Sequence, residues 1–348
     1  MLVNSWLDVI DYSAEINPYT YAKKGKFKGV IVCSGDDSDK ILPLLSELYL
    51  HRKAKFLFIN GICNDDIKRY AAKFCKSAIP FIVWDKNNNL LPDKNLISKT
   101  VYPAGLNACL ICSGRGEGIK PFISHRGLQS FCFCGYQTYL CNPNSLKRLS
   151  QMNMEMLRLG EIRDDMHSIE PAMRDKDLFL LDFNCMRYSD FPVSAESGNP
   201  NGLYAEEVCH IARYIGLSLG KRNIFLTDST PLGGNCATLS SVCYRLIAQT
   251  VLHVCLGICD NTEEDPHNAD SSENFAYKIV KLYDNQQEIE FITSLITGRW
   301  WIKIPVLTNE SYRYVSCSKE EYETACKGEL PLKWLIFYQK YNLKKNLS

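Results

Sequence analysis

Asp182 and Asn184 stand two residues apart at the polar end of an apolar run, 178–183, with Arg187 and Asp190 just beyond. Residues two apart on a strand share a face, so an Asp-x-Asp pair in this place would hold one hard cation or bridge two. Here the second position is an amide. Asp36, Asp37, Asp85, Ser113 and Asp228 occupy comparable strand ends, where helix caps and turn formers also gather. Cys109 and Cys112 have the gap of a zinc half-site, and Cys132, Cys134 and His125 would complete one. Residues 107–111 read as a buried strand, however, and side chains three apart on a strand point to opposite sides. That argues against a closed zinc site, and against a redox pair, which needs its Cys-x-x-Cys at a helix start. Gly114, Arg115, Gly116, Glu117 and Gly118 follow directly, either as a turn or as an anion cradle.

None of the six histidines (His51, His125, His167, His210, His253, His267) sits where a ligand or general base is evident. A Ser, His, Asp triad would converge only in space and leaves no local trace. There is no nucleophile elbow, no Gly-x-x-x-x-Gly-Lys loop and no Gly-x-Gly-x-x-Gly after a strand.

The elements that must position these residues alternate. Strands are expected at 29–33, 56–59, 80–84, 107–111, 178–183 and 223–227, and helices at 39–50, 65–75, 144–159, 204–216 and 237–256. Strands with helical crossovers predict a mostly parallel sheet covered on both faces, with the site in loops beyond the carboxyl ends of the strands. One α/β domain over residues 1–259 is expected. An exposed acidic loop at 260–274 would follow it, then an extension over 275–348 that packs on the same domain.

Forty Lys and Arg against 39 Asp and Glu give a net charge of +1, which offers no general attraction for nucleic acid or for an anionic membrane. Residues 1–24 show no basic start and apolar run of a secretory signal. The most apolar segment, 237–258, carries Arg245, Gln249 and His253 and reads as a buried helix. A reduced, cytoplasmic protein is therefore expected, and its 16 cysteines read chiefly as small core hydrophobes.

The ordered set of segments resembles the arginase family of ureohydrolases, and within it the formiminoglutamase-like arginase proteins of Bacteroidota. The resemblance rests on Gly135, Tyr136, Gln137, Thr138 and Tyr139 leading to Asn142 and Pro143, and on Arg158, Leu159, Gly160, Glu161, Ile162 and Arg163. It continues through Arg174, Asp175, Lys176 and Asp177 with Asp182, Arg187, Ser189 and Asp190, and through Asn199, Pro200, Asn201 and Gly202 with Glu206 and Glu207. Arg299, Trp300 and Trp301, then Tyr314, Val315, Cys317, Tyr322 and Gly328, extend it to the end. No one segment is diagnostic; order and spacing make the match.

The resemblance implies a three-layer α/β/α fold and hydrolysis of a guanidino or formimino C–N bond by hydroxide bridging two Mn²⁺ ions. The ligands for such a pair would come from three strand-end segments, and this chain departs from that pattern at most of them. Asn87 stands at the position of a ligand His. Cys112, Gly114 and Gly116 stand where Asp, His and Asp would be, and Asn184 replaces the second carboxylate of the third segment. Asp182 is the one retained ligand position. Two Mn²⁺ ions need roughly six protein ligands with bridging carboxylates, so no cofactor is expected, and Mn²⁺ only if the family activity persists.

Two functions compete on these residues. The first is a catalytically degenerate ureohydrolase-fold protein with a binding or structural role, assembled as a homo-oligomer, with a small guanidino or amidino compound as the ligand the resemblance implies. The second is a divergent hydrolase of linear amidines, acting on formiminoglutamate, arginine or agmatine. It would hold a single ion at Asp182, Asp85 and Asp228, or use Cys112 as a nucleophile.

Overall fold

The computed structural model describes residues 6–13, 15–86, 90, 102, 105–115, 118–192, 198–220, 222–229, 239–267, 273–282 and 287–342. Nine strands form the main sheet: β1 (Leu7–Asp11), β2 (Gly29–Cys33), β3 (Phe56–Asn60), β4 (Phe81–Lys86), β5 (Leu106–Ile111), β6 (Leu128–Tyr136), β7 (Glu155–Arg158), β8 (Leu178–Asp182) and β9 (Asn223–Asp228). Their order across the sheet is β1-β3-β2-β4-β9-β8-β5-β6-β7, and every ladder is parallel.

A parallel sheet needs both faces covered, because each crossover leaves a helix on one of them. The strands comply by being apolar throughout, with alternate residues divided between two cores. Ile31, Ile82, Trp84, Leu181 and Leu226 belong to one core, together with Ile41 and Leu45 of helix Ser38–Glu47 and with helices Ala205–Gly216 and Ser241–Asp260. Val30, Val32, Val83, Leu180 and Phe225 belong to the other, against Ile67 and Phe74 of helix Asn64–Phe74 and Leu149 of helix Pro143–Gln151. The result is the expected three-layer α/β/α sandwich.

Helix Ser241–Asp260 is long and apolar enough to cross a membrane by length and composition alone, yet most of it is buried. It lies against helices Ser38–Glu47 and Ala205–Gly216. Gly216 and Gly257 bring two of these helices together so closely that a Cβ on Gly216 would sit 2.2 Å from the Val254 carbonyl oxygen.

Residues 144–159, expected as one helix, divide. The helix stops at Gln151, Asn153 turns the chain with φ 53°, and residues 155–158 become β7. Asparagine tolerates the left-handed region better than most residues and so permits the break.

Residues 275–342 build a second sheet, antiparallel in the order β10 (Phe275–Lys281), β11 (Glu288–Ser294), β12 (Trp300–Val306), β13 (Ser311–Cys317), with helices Lys319–Cys326 and Leu332–Asn342. Ile289, Phe291, Ile302, Ile304, Trp334 and Phe337 give it a core of its own. Charged groups join it to the main sheet. The Arg174 guanidinium stacks 4.8 Å from the Trp301 ring, donates to the Trp300 carbonyl at 2.8 Å and pairs with Glu170, which Arg299 also meets at 3.2 Å.

The acidic segment 260–274 is not wholly a solvated loop. Glu264 is buried, its carboxylate taking the hydroxyls of Ser294 and Thr297, and Arg299 lies 3.9 Å away. Asp260 binds Arg52 and Arg213. Asp260 and Glu264 are thus held by residues distant in the chain, whereas Glu263 and Asp265 are exposed. Residues 268–272 lie outside the described residues.

Candidate functional site

The carboxyl ends of β4, β9, β8 and β5 are adjacent, and their register sets the geometry of the rim. Asp85 pairs with Thr227, Thr227 with Asp182, and Ile111 with Leu181, so that Cys112 lies one residue beyond β5 at the level of Asp182. Directly opposed residues in a parallel ladder share a face. Asp85, Thr227, Asp182 and Cys112 therefore form one row on the side of the second core, following Val83, Phe225, Leu180 and Leu110 two residues before them. Asp228 follows Leu226 and belongs to the opposite face.

This row brings some of the sequence candidates together and separates others. Asp85 and Asp182 have β9 between them, which puts their backbones about 9–10 Å apart at the usual strand spacing. Asp85 turns its Oδ2 to the Leu90 N–H at 2.8 Å, and its carbonyl accepts the Thr227 hydroxyl at 2.6 Å. Asp85, Asp182 and Asp228 thus do not surround a common point. Among the described residues no group of three or more His, Cys, Asp and Glu is arranged to hold a metal ion. Asn87 and Gly116 lie outside the described residues.

Asp182 is buried and fully engaged by protein groups. Its Oδ1 accepts the backbone N–H of Asn184 at 3.0 Å and that of Ser229 at 3.2 Å, and its Oδ2 accepts the Ser229 hydroxyl. The Asn184 amide donates in turn to the Ser229 carbonyl. Burial pushes the Asp182 carboxyl above its usual range, and the bonds from Ser229 and Asn184 offset this only in part. Ser229 is the site residue that the sequence did not reveal. It follows Asp228 at the end of β9 and has no motif around it.

Burial, reinforced by the negative charge of Asp182, pushes the Cys112 thiol far up, and the Gly114 N–H opposes this weakly. A thiol so placed is protonated at neutral pH, the opposite of what an activated nucleophile requires. Gly114 has φ 90°, and a Cβ there would fall 2.1 Å from the Cys141 sulfur, so only glycine fits. The space left beside Cys112, Gly114 and Cys141 is about 10 Å³, enough for one water molecule.

The other cysteines and acids have structural employment. Cys109 and Cys132 face each other across β5 and β6 in the first core, while Cys112 belongs to the second, so strand alternation does separate the Cys-x-x-Cys pair. His125 accepts the Gly127 N–H at 3.1 Å within its own turn. Asp190 accepts the N–H of Ala205 at the start of a helix, and Arg187 stacks on Tyr204. Asp37 is buried and accepts from the Trp84 indole and the Tyr244 hydroxyl, each at 2.8 Å, with Lys40 at 3.5 Å and Lys86 at 3.8 Å. It ties the loop after β2 to β4 and to the 241–260 helix, whereas Asp36 beside it is exposed.

No protein-family model matches the chain, and no curated protein does. Solved structures do match. Formiminoglutamase of Trypanosoma cruzi with Mn²⁺ is 15% identical at a TM-score of 0.56, over 68% of this chain and 95% of that one. A structure described as an arginase superfamily protein from the same organism is 14% identical at a TM-score of 0.56, over 68% and 95%. Formimidoylglutamase of Bacillus subtilis is 11% identical at a TM-score of 0.53, over 73% and 91%. At these identities the likeness is one of fold, and the fold is arginase-like.

Proposed function

We propose that this chain is a ureohydrolase-fold protein that has not kept a binuclear manganese centre, and that it serves as a binding or structural protein rather than as a hydrolase of guanidino or formimino C–N bonds. The observation that carries this reading is the engagement of Asp182. The one carboxylate at a matching ligand position gives both oxygens to Ser229 and Asn184. A bridging ligand must instead present its lone pairs to the ions.

The donor set that the resemblance assigns does not fit the metal pair. Cys112 offers a thiol in place of a carboxylate, Gly114 has no side chain, Asn184 and Asn87 are amides, and Gly116 has no donor to offer. Without several carboxylates, neither the charge of two divalent ions nor a lowered pKa of bound water is supported.

The test is metal analysis of protein purified in Mn²⁺, followed by assay on formiminoglutamate, arginine and agmatine. The expected result is substoichiometric metal and no turnover. Stoichiometric metal together with turnover that disappears in Asp182→Ala would overturn the proposal.

A further inference from the structure

At the opposite end of the main sheet, the amino ends of β5, β6 and β7 meet β13 and helix Leu332–Asn342 around a cleft of about 460 Å³. This volume is within the range of small-molecule sites, and the cleft exists only because the antiparallel sheet packs against the parallel one. It is remote from the Asp182 rim, since strand β8 separates Asp175 and Lys176 at its start from Asp182 at its end.

Its floor is charged and buried. Lys176, 3% exposed, pairs with Glu155 at 3.2 Å and donates to the Ser130 hydroxyl, while Lys333 reaches the other oxygen of Glu155 at 3.0 Å. One carboxylate therefore serves two ammonium groups, each with three N–H donors. Burial pushes the Glu155 carboxyl up, but Lys333 and Lys176 outweigh it and hold the group below its usual range. Arg313 adds a third cation, stacked 5.2 Å from the Tyr341 ring. The second carboxylate, Asp175, accepts the Ser316 hydroxyl at 2.6 Å. Lys176, Lys333 and Arg313 thus line the cleft beside Glu155 and Asp175, and the exposed Arg313 and Asp175 leave its mouth open to solvent.

The wall toward solvent is aromatic. Tyr312 and Tyr314 lie 5.2 Å apart between ring centroids, and the His267 ring stands 4.7 Å from Tyr314 and nearly parallel to Tyr312 at 5.9 Å. Flat ring surfaces next to a net positive floor suit a ligand that has both a planar group and an anion.

We propose that this cleft binds a small ring-bearing anion, a phosphate or carboxylate attached to a planar ring, with the anion at Lys176, Lys333 and Arg313 and the ring against Tyr312, Tyr314 and His267. Because both sheets line the cleft, such a ligand stabilises their docking by mass action.

Calorimetry and thermal melts of the full chain test this with adenosine monophosphate, 4-hydroxybenzoate, inorganic phosphate and adenosine as probes. At least one ring-bearing anion is expected to bind and raise the melting temperature, more weakly as salt is added. Preference for the monophosphate or the benzoate identifies which acid the floor takes. Binding is expected to fall at least about tenfold, the loss of one good contact, in Arg313→Gln and in Tyr312→Ala, both at exposed positions of β13. Lys333→Met tests the floor, and the two exposed variants keep the test decisive if it does not fold. Equal binding of phosphate alone, equal binding of neutral adenosine, no binding of any probe at millimolar concentration, or unchanged affinity in both exposed variants would each overturn the proposal.

Discussion

Ser229 holds both oxygens of the Asp182 carboxylate, its backbone N–H lying 3.2 Å from Oδ1 and its hydroxyl donating to Oδ2. The two residues sit on neighbouring strands, β8 and the end of β9, and the contact closes the rim where the sheet would otherwise present an acid to a ligand. Ser229→Ala removes the hydroxyl and leaves part of a buried carboxylate unsatisfied, which costs about 1–3 kcal/mol. Urea unfolding at neutral pH is expected to show that loss. It should shrink in acid, where the carboxyl is protonated and demands less; a loss independent of pH would place the effect elsewhere.

Asp182 itself carries an unusual sign. Its folded-state pKa is raised above the ordinary value of 3.8, so its contribution to stability is fully present below that value and is lost as pH rises through the folded pKa. The stability difference between the native chain and Asp182→Asn is therefore expected to favour the native chain most in acid and to narrow toward neutrality. Unfolding midpoints of both proteins across this interval provide the check. A native advantage that grows toward neutral pH would contradict the burial argument.

Glu155 has the opposite sign. Burial opposes ionisation, but Lys333 and Lys176 hold its carboxyl below the usual value, so its stabilisation is present above that value and is lost as pH falls through the folded pKa. Glu155→Gln leaves two buried ammonium groups without their shared partner and is expected to cost about 3–5 kcal/mol at neutral pH. The penalty should decline as the solution is acidified, as acid denaturation of the two proteins will show.

Gly114→Ala meets two obstacles, a φ of 90° and a Cβ placed 2.1 Å from the Cys141 sulfur. The backbone part costs about 1–3 kcal/mol, and the clash adds to it. Cys141→Ala removes the obstructing sulfur, so the double variant is expected to recover the clash but not the backbone penalty. A double-mutant cycle read by denaturant unfolding separates the two, and strict additivity would mean that the sulfur is no obstacle.

Much of the scaffold was legible because local pattern and tertiary role agree there. The runs 29–33, 56–59 and 178–181 are apolar at every position, as strands covered on both faces must be, and the structure has strands at all three. The strands at Glu155–Arg158 and Leu128–Tyr136 were not legible. Glu, Met, Leu and Arg are good helix formers, and Cys132 and Cys134 of the second segment suggested ligands rather than pairing. These two are strands because they extend the sheet beside β5, and such pairing overrides intrinsic preference.

By itself the sequence determined the layers and the strand ends at which Asp85, Cys112, Asp182 and Asp228 emerge, because side-chain period and crossover length are local properties of the chain. The resemblance read from it led to the expectation that most ligand positions hold amides, a thiol or glycine. Only the tertiary structure decided what those residues do. Register placed Asp85 two strands from Asp182 and turned Asp228 to the other face. Asp182 gave its lone pairs to Ser229, 47 residues away, and the docking of a second sheet made a charged cleft at the other end. Contacts between residues so far apart depend on how strands are ordered in space, and no local pattern records that order.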